Sequence, residues 1–522
     1  MNWLGLSILP AYFVAILLVG WFTRRKSRSA NDYLNASRAL PLWIVSFAFL
    51  AVNCGALEVL GLSAMAAEFG VQAFQFYWIG AIPGIVFLAL WMMPVYFKSD
   101  IRSIPDFLCL RYGEGVQIVN ATSHALLMVM LAGISLYAMG QTLHAIFGLH
   151  FAVSITLTSV VVSTYVLLGG LRATIYNEVL QLIVMLIGLL PLFVQTYRSG
   201  LVASRTAGMV GHLWTAMPNA SNASAFDKVG TVIGLGFVLG FSYWGTDFVL
   251  IQRALASRTS REARMVPILA GLGKLAFSFL VVLPGLASRT LVPHIGTTVR
   301  FDEALPSLMR TFYGPVMLGF GLTALASSLL SSLAANLSGF TAVWTQDIYR
   351  KWLRPDRNER HYKVMGYWAT VFAIFSSMAF SSVSYYFTNL MEHIQLLFSL
   401  FSAPFLAIFL LGMISKRITA RGVLIGFISG LVASACHEML ILIHYLHYGG
   451  IMNANFHGAI YGFAFAALPA WVFRRRSPLD SFRASPLQLR WGTLFAGEAA
   501  SEVALIASVL LIACGLLNFV WR

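Results

Sequence analysis

Apolar runs long enough to cross about 30 Å of hydrocarbon recur along the whole chain, separated by short segments that carry Arg, Lys, Gly or Pro. The pattern predicts fourteen membrane-spanning helices, at about 3–22, 42–67, 71–97, 119–146, 150–169, 175–197, 229–251, 266–288, 313–345, 365–387, 392–414, 422–446, 456–473 and 499–520. No polar block between them is long enough to be a soluble domain. The fold class expected is therefore an all-α integral membrane protein, with backbone polar groups satisfied inside each helix because lipid offers no partner.

Composition agrees with that pattern: 58% of the 522 residues are hydrophobic and 11% are charged, against about a quarter charged in soluble domains. The formal net charge is +15, and the loops account for it. Alternate loops hold 27 of the 35 Lys and Arg, among them Arg24, Arg25, Lys26, Arg253, Arg258, Arg350, Lys351, Arg357 and Arg475. The positive-inside bias makes these loops cytoplasmic and puts both termini outside a plasma or bacterial inner membrane. The surplus needs no nucleic-acid partner, and no obligate protein partner is expected beside the lipid bilayer. The basic cluster from Arg24 to Arg28 follows the first apolar run, so that run is expected to remain as a helix and not to act as a signal peptide.

Cys54, Cys109, Cys436 and Cys514 are scattered without metal-ligand spacing. Asn219 and Asn222 begin Asn-Ala-Ser triplets in a loop expected outside. No phosphate-binding Gly-x-x-x-x-Gly-Lys-Ser/Thr run marks an ATP-driven pump, and no nucleophile and base set marks an enzyme.

Candidate chemistry lies where lipid should exclude polar groups. Lys274 stands inside the run from Val266 to Leu286, where a cation costs roughly 2.5–3.5 kcal/mol, so it faces a wet cavity or pairs with a carboxylate. Glu58, Glu178, Asp247 and Gln395 are comparable anomalies, whereas Glu392, Glu438 and Glu498 lie nearer span ends. The second span carries Asn53-Cys54-Gly55 at its middle, and the seventh carries Gly234, Gly236 and Gly240 before Tyr243-Trp244-Gly245. Opened turns there would offer carbonyls to an ion; close helix packing is the alternative for the glycines. In the ninth span Ser328, Ser331 and Ser332 share one helix face. Their hydroxyls suit a hard cation if carbonyls complete the shell, or they bond to their own helix.

Five ordered stretches, Arg38-Ala-Leu-Pro-Leu-Trp43, Ile104-Pro-Asp-Phe-Leu108 with Arg111-Tyr-Gly113, Gly169-Gly-Leu-Arg-Ala173 leading to Gln181, Tyr243-Trp244 with Gln252-Arg253-Ala-Leu-Ala256, and Ser331-Ser332-Leu through Asp347-Ile-Tyr349, resemble the sodium/solute symporter family that includes the sodium/glucose cotransporters. The resemblance runs from about Asp32 to Gly422. It implies a leucine-transporter-like pair of inverted five-helix repeats, with alternating access around a mid-membrane site. The segments are then 1–41, the first helix and a basic loop; 42–228 and 229–421, the two repeats; and 422–522, three further helices.

By the same resemblance the sodium site falls on the carbonyls of Ala51 and Cys54 and the hydroxyls of Ser328, Ser331 and Ser332. Glu178 stands where Asp is usual and is a candidate ion relay. Asn53, Tyr243, Lys274 and Gln395 match residue types that sugar carriers use, with Trp244 adjacent. Two positions depart: Glu58 stands where the human-type glucose carrier has His, and Tyr77 where sugar carriers place a Glu; Phe248 replaces a frequent Gln. The resemblance implies sodium-coupled symport of a small polar solute, a sugar or polyol, with sodium as coupling ion and no cofactor. A carboxylate or sialic-acid-like solute, or a nutrient sensor or channel on the same scaffold, remains the alternative.

Overall fold

In a computed structural model, residues 3–24, 40–55, 57–98, 104–206, 212–215, 225–387, 390–475 and 500–521 are described. Within them the chain is helical without a strand, and ten helices are long and apolar enough to cross a membrane, or twelve if each of two bent pairs is one span. The elements are α1 (Trp3–Arg24), α2 (Leu42–Asn53) bent 51° from α3 (Glu58–Phe74), α4 (Phe76–Phe97), α5 (Ile104–Tyr112), α6 (Glu114–Phe147) and α7 (Phe151–Thr206). There follow α8 (Gly230–Thr246) bent 50° from α9 (Phe248–Ala254), α10 (Ser260–Leu291), α11 (Ala304–Phe312), α12 (Pro315–Leu353), α13 (Glu359–Tyr386) and α14 (Leu390–Ile414). The last three are α15 (Ala420–Leu442), α16 (Ile451–Val472) and α17 (Ala500–Val520).

The expected count of fourteen meets ten to twelve helices that pass on length and hydropathy. Of the remaining expected spans, one falls on Phe151–Thr164, an apolar stretch too short to count, and another on α16. Where a loop was expected between the fifth and sixth spans, α7 is helical without interruption through Gly169 and Arg172. No proline precedes Pro191 in this element, so no backbone N–H is missing to break the ladder. At about 1.5 Å per residue, its 56 residues exceed one crossing, and they hold the separate apolar stretches Phe151–Thr164 and Leu171–Ser199.

The two bends have different origins. In the first, Asn53-Cys54-Gly55 ends α2 as expected, and Cys54 closes the helix with its N–H on the carbonyls of Leu50 and Ala51. In the second, the helix runs unbroken through Gly234, Gly236 and Gly240, and the chain bends at Asp247. Those glycines lie in wide, π-type turns, and a Cβ added at Gly234 or Gly240 would strike the carbonyl of Phe456 or Gly80. They permit close helix approach. Asp247 starts α9 with its carboxylate accepting the Leu250 N–H at 3.0 Å, a helix cap.

Around these bends, α12 packs on α7 and α6, while α10 crosses α2, α3 and α7. The peripheral α1 and α17 expose large apolar residues such as Leu18, Trp21, Val509 and Phe519, as expected where lipid is the neighbour. Two of the stretches that carry the family resemblance meet at one end of the bundle. Lys351 pairs with Asp106 of α5 at 2.5 Å and approaches Asp347 at 3.8 Å, and Arg111 donates to the carbonyls of Gly412 and Ser415. Thus α5 braces the ends of α12 and α14. Arg253, expected in a basic loop, is instead fully buried. Asn219, Asn222 and the basic residues Arg25, Lys26, Arg28, Arg38, Arg102, Arg476, Arg483 and Arg490 lie outside the described residues.

Candidate functional site

Two centres lie side by side at the α2–α3 break. On one side, Ser328 Oγ donates to the Cys54 carbonyl at 2.9 Å and Ser331 Oγ to the Ala51 carbonyl at 3.4 Å. Ser332 Oγ accepts from Ser135 of α6 at 3.2 Å. Helix spacing aligns the three serines on α12, and the end of α2 turns its last carbonyls toward them. A Cβ at Gly55 would lie 2.7 Å from Ser332 Cβ, so glycine is what lets the break sit against the serine face. Three hydroxyls and two carbonyls thereby meet in a buried, hard-oxygen environment suited to a small cation with few formal negative ligands. Among the described residues no group of three or more His, Cys, Asp or Glu is arranged to hold a metal ion.

On the other side lies a cavity of about 510 Å³ including its open part, whose lining includes Glu58, Tyr243, Trp244, Met391, Gln395 and Phe398. Lys274, 1% exposed, pairs with Glu58 and donates to the Asn53 carbonyl at 3.3 Å. Its ammonium also lies 5.4 Å from the Tyr77 ring and 5.2 Å from the Trp244 ring, distances at which ring faces attract a cation. Tyr243 donates its hydroxyl to Asn53 Oδ1 at 3.0 Å, while the Asn53 amide caps the Phe49 carbonyl at 2.7 Å. Gln395 is set by α14 into the same wall. Asn53, Glu58, Tyr77, Tyr243, Trp244, Lys274 and Gln395 therefore come together around or directly behind one cavity.

Asn53 joins the centres, since its neighbours Ala51 and Cys54 face the serines while its side chain holds Tyr243, which lines the cavity. Glu178 belongs to neither. It is fully buried in α7 and held by the Arg253 guanidinium at 2.7 Å, with both side chains 0% exposed. Ser135 has only Leu131, Ala132, Ala138 and Met139 at helical spacing in α6, so the sequence gives no signal for it. The apolar lining from Phe76, Leu235 and Leu239 was equally invisible among so many similar residues.

Residues 33–430 match the sodium:solute symporter family. The chain belongs to that family. It is 27% identical to the sodium/glucose cotransporter of Vibrio parahaemolyticus over 463 residues, covering 83% of this chain and 84% of that protein. With sodium/glucose cotransporter 1 of Ovis aries it shares 25% identity over 511 residues, covering 86% and 77%. In fold it is similar to the substrate-bound, outward-open structure of a Na+-coupled sialic acid symporter, with a TM-score of 0.76 at 17% identity, covering 91% and 100%. A nucleobase-cation-symport-1 family transporter in a closed conformation is more distant, with a TM-score of 0.54 at 12% identity, covering 92% and 99%. The homologues and fold neighbours of this sodium:solute symporter are transporters, and its helices fit a multi-pass membrane protein.

Proposed function

We propose that the protein is a sodium-coupled symporter that carries a sugar or polyol across a cell membrane by alternating access. The observation that supports this most is the convergence of Ser328 and Ser331 on the Cys54 and Ala51 carbonyls at a broken helix. Sodium bound by Ala51, Cys54, Ser328, Ser331 and Ser332 would link α2 to α12. Asn53, Glu58, Tyr77, Tyr243, Trp244, Lys274 and Gln395 form the solute wall. In the full arrangement, 42–228 and 229–421 are inverted repeats among fourteen crossings, with both termini outside.

Coupling needs no covalent step. An ion that favours the conformer able to bind solute raises solute affinity, and solute raises ion affinity by the same factor. One inward charge at 100 mV contributes about 2.3 kcal/mol. A tenfold sodium gradient adds about 1.4 kcal/mol, so one sodium can concentrate a neutral solute roughly 500-fold.

Ser331→Ala tests the ion site. Losing one oxygen from a poorly hydrated shell leaves the cation underligated, and the sodium half-saturation of uptake should rise about tenfold or more. Solute half-saturation at saturating sodium should move less. An unchanged sodium dependence in both Ser331→Ala and Ser332→Ala removes the site from this face.

A further inference from the structure

The cavity wall holds a cation, but that cation is already engaged. Lys274 gives its hydrogens to Glu58 and to the Asn53 carbonyl, and its remaining surroundings are the Tyr77 and Trp244 rings. What lacks a hydrogen-bond partner is different in kind. Glu58 Oε2, Gln395 Oε1 and the Tyr77 hydroxyl are buried and make none among the described residues; the Gln395 amide nitrogen leans only on Met391 Sδ at 3.5 Å. The Tyr77 hydroxyl lies beside Glu58. Glu58 and Gln395 thus bring acceptor oxygens to the cavity lining, and acceptors need donors.

Building on the solute assignment above, we propose that Glu58 fixes the charge class of the solute: it admits a neutral, hydroxyl-rich molecule and rejects the matching carboxylate. Glu58 acts in two ways. Through Oε1 it neutralises Lys274, so that no uncompensated positive charge remains on this wall to attract an anion. As a carboxylate in the cavity lining it offers an acceptor that a solute hydroxyl satisfies and a solute carboxylate cannot, because two ionised carboxylates have no proton to share. Rejection by an unpaired like charge is a way to gain selectivity that added attraction alone does not supply. The Lys274 ammonium also lies 5.4 Å from the Tyr77 ring, so a carboxylate introduced at residue 77 lies within reach of the same cation.

The test uses the full-length protein in proteoliposomes under an inward sodium gradient, with matched probes: glucose and glucuronate, galactose and galacturonate, and myo-inositol. Wild type should take up at least one neutral probe with a half-saturation at least 100-fold below that of its uronate. Glu58→Gln frees Lys274 and should improve uronate half-saturation at least tenfold while weakening the neutral probe. Glu58→Gln/Tyr77→Glu should restore the neutral preference. Because Glu58→Gln strands a buried ammonium, thermal unfolding is followed in parallel; uronate should protect this variant and leave wild type unmoved. Uronate uptake by wild type within tenfold of the neutral probe overturns the role of Glu58 alone, as does a Glu58→Gln protein that is protected only by neutral probes. Sodium-driven uptake of neither class by wild type overturns the sugar or polyol assignment and this role with it.

Discussion

Lys274→Ala is expected to abolish sodium-driven uptake and to lower the unfolding temperature of the purified protein. The substitution removes the counter-charge of Glu58, the donor to the Asn53 carbonyl and the cation between Tyr77 and Trp244. Breaking a buried pair from one side costs about 3–5 kcal/mol, chiefly because the other charge is left alone in the interior. Gln395→Ala takes away hydrogen-bonding capacity without stranding a charge, so its effect should be about 1–3 kcal/mol on solute affinity. The ranking is informative, since a solute recognised by its own negative charge would need Lys274 as its direct partner. Lys274→Ala combined with Glu58→Ala should recover part of the lost stability, measured as a double-mutant cycle of unfolding temperatures. Equal stability of Lys274→Ala and wild type would contradict the charge pairing.

Arg253→Ala should be comparably severe, for the same reason at a different place. Glu178 and Arg253 are each 0% exposed and tie α7 to α9, the short helix that begins at the Asp247 bend. Without Arg253 the Glu178 carboxylate faces no counter-charge, and about 3–5 kcal/mol of stability should be lost. Replacing both by methionine should return most of it, because apolar side chains of similar volume often substitute for a buried pair at little cost. The double variant also separates two roles for Glu178. A tie between helices predicts that the methionine pair transports sodium and solute with near wild-type half-saturation. A relay through Glu178 predicts that this protein folds, as judged by thermal unfolding, and carries nothing.

Much of this arrangement is written locally in the sequence, and what is not is long-range. The α2 break is readable because Asn53, Cys54 and Gly55 interrupt an apolar run with groups that end helices. The glycines of α8 are ambiguous in sequence, since the missing Cβ serves an opened turn and a close contact equally; the contacts with Phe456 and Gly80 decide for packing. The bend at Asp247 has a readable cue, an aspartate before a short helix, but among apolar residues that aspartate reads equally as a buried charge. Glu178 stands out in the sequence as an anomaly, but its partner lies 75 positions away and reads as one more loop arginine. The serine face of α12 is plain from its spacing, whereas Ser135 is isolated in α6 and only the fold brings it to Ser332.

The central claim is that the α2–α12 oxygens couple sodium entry to solute entry, and accumulation tests it most directly. Proteoliposomes containing the full chain are loaded with sodium-free buffer, diluted into sodium, and followed with labelled solute chosen by the uptake panel. The account predicts internal solute rising above the external concentration, collapsing when a sodium ionophore is added, and needing about tenfold or more additional sodium in Ser331→Ala. Solute that only equilibrates, or that accumulates equally well when sodium is replaced by potassium, would contradict it.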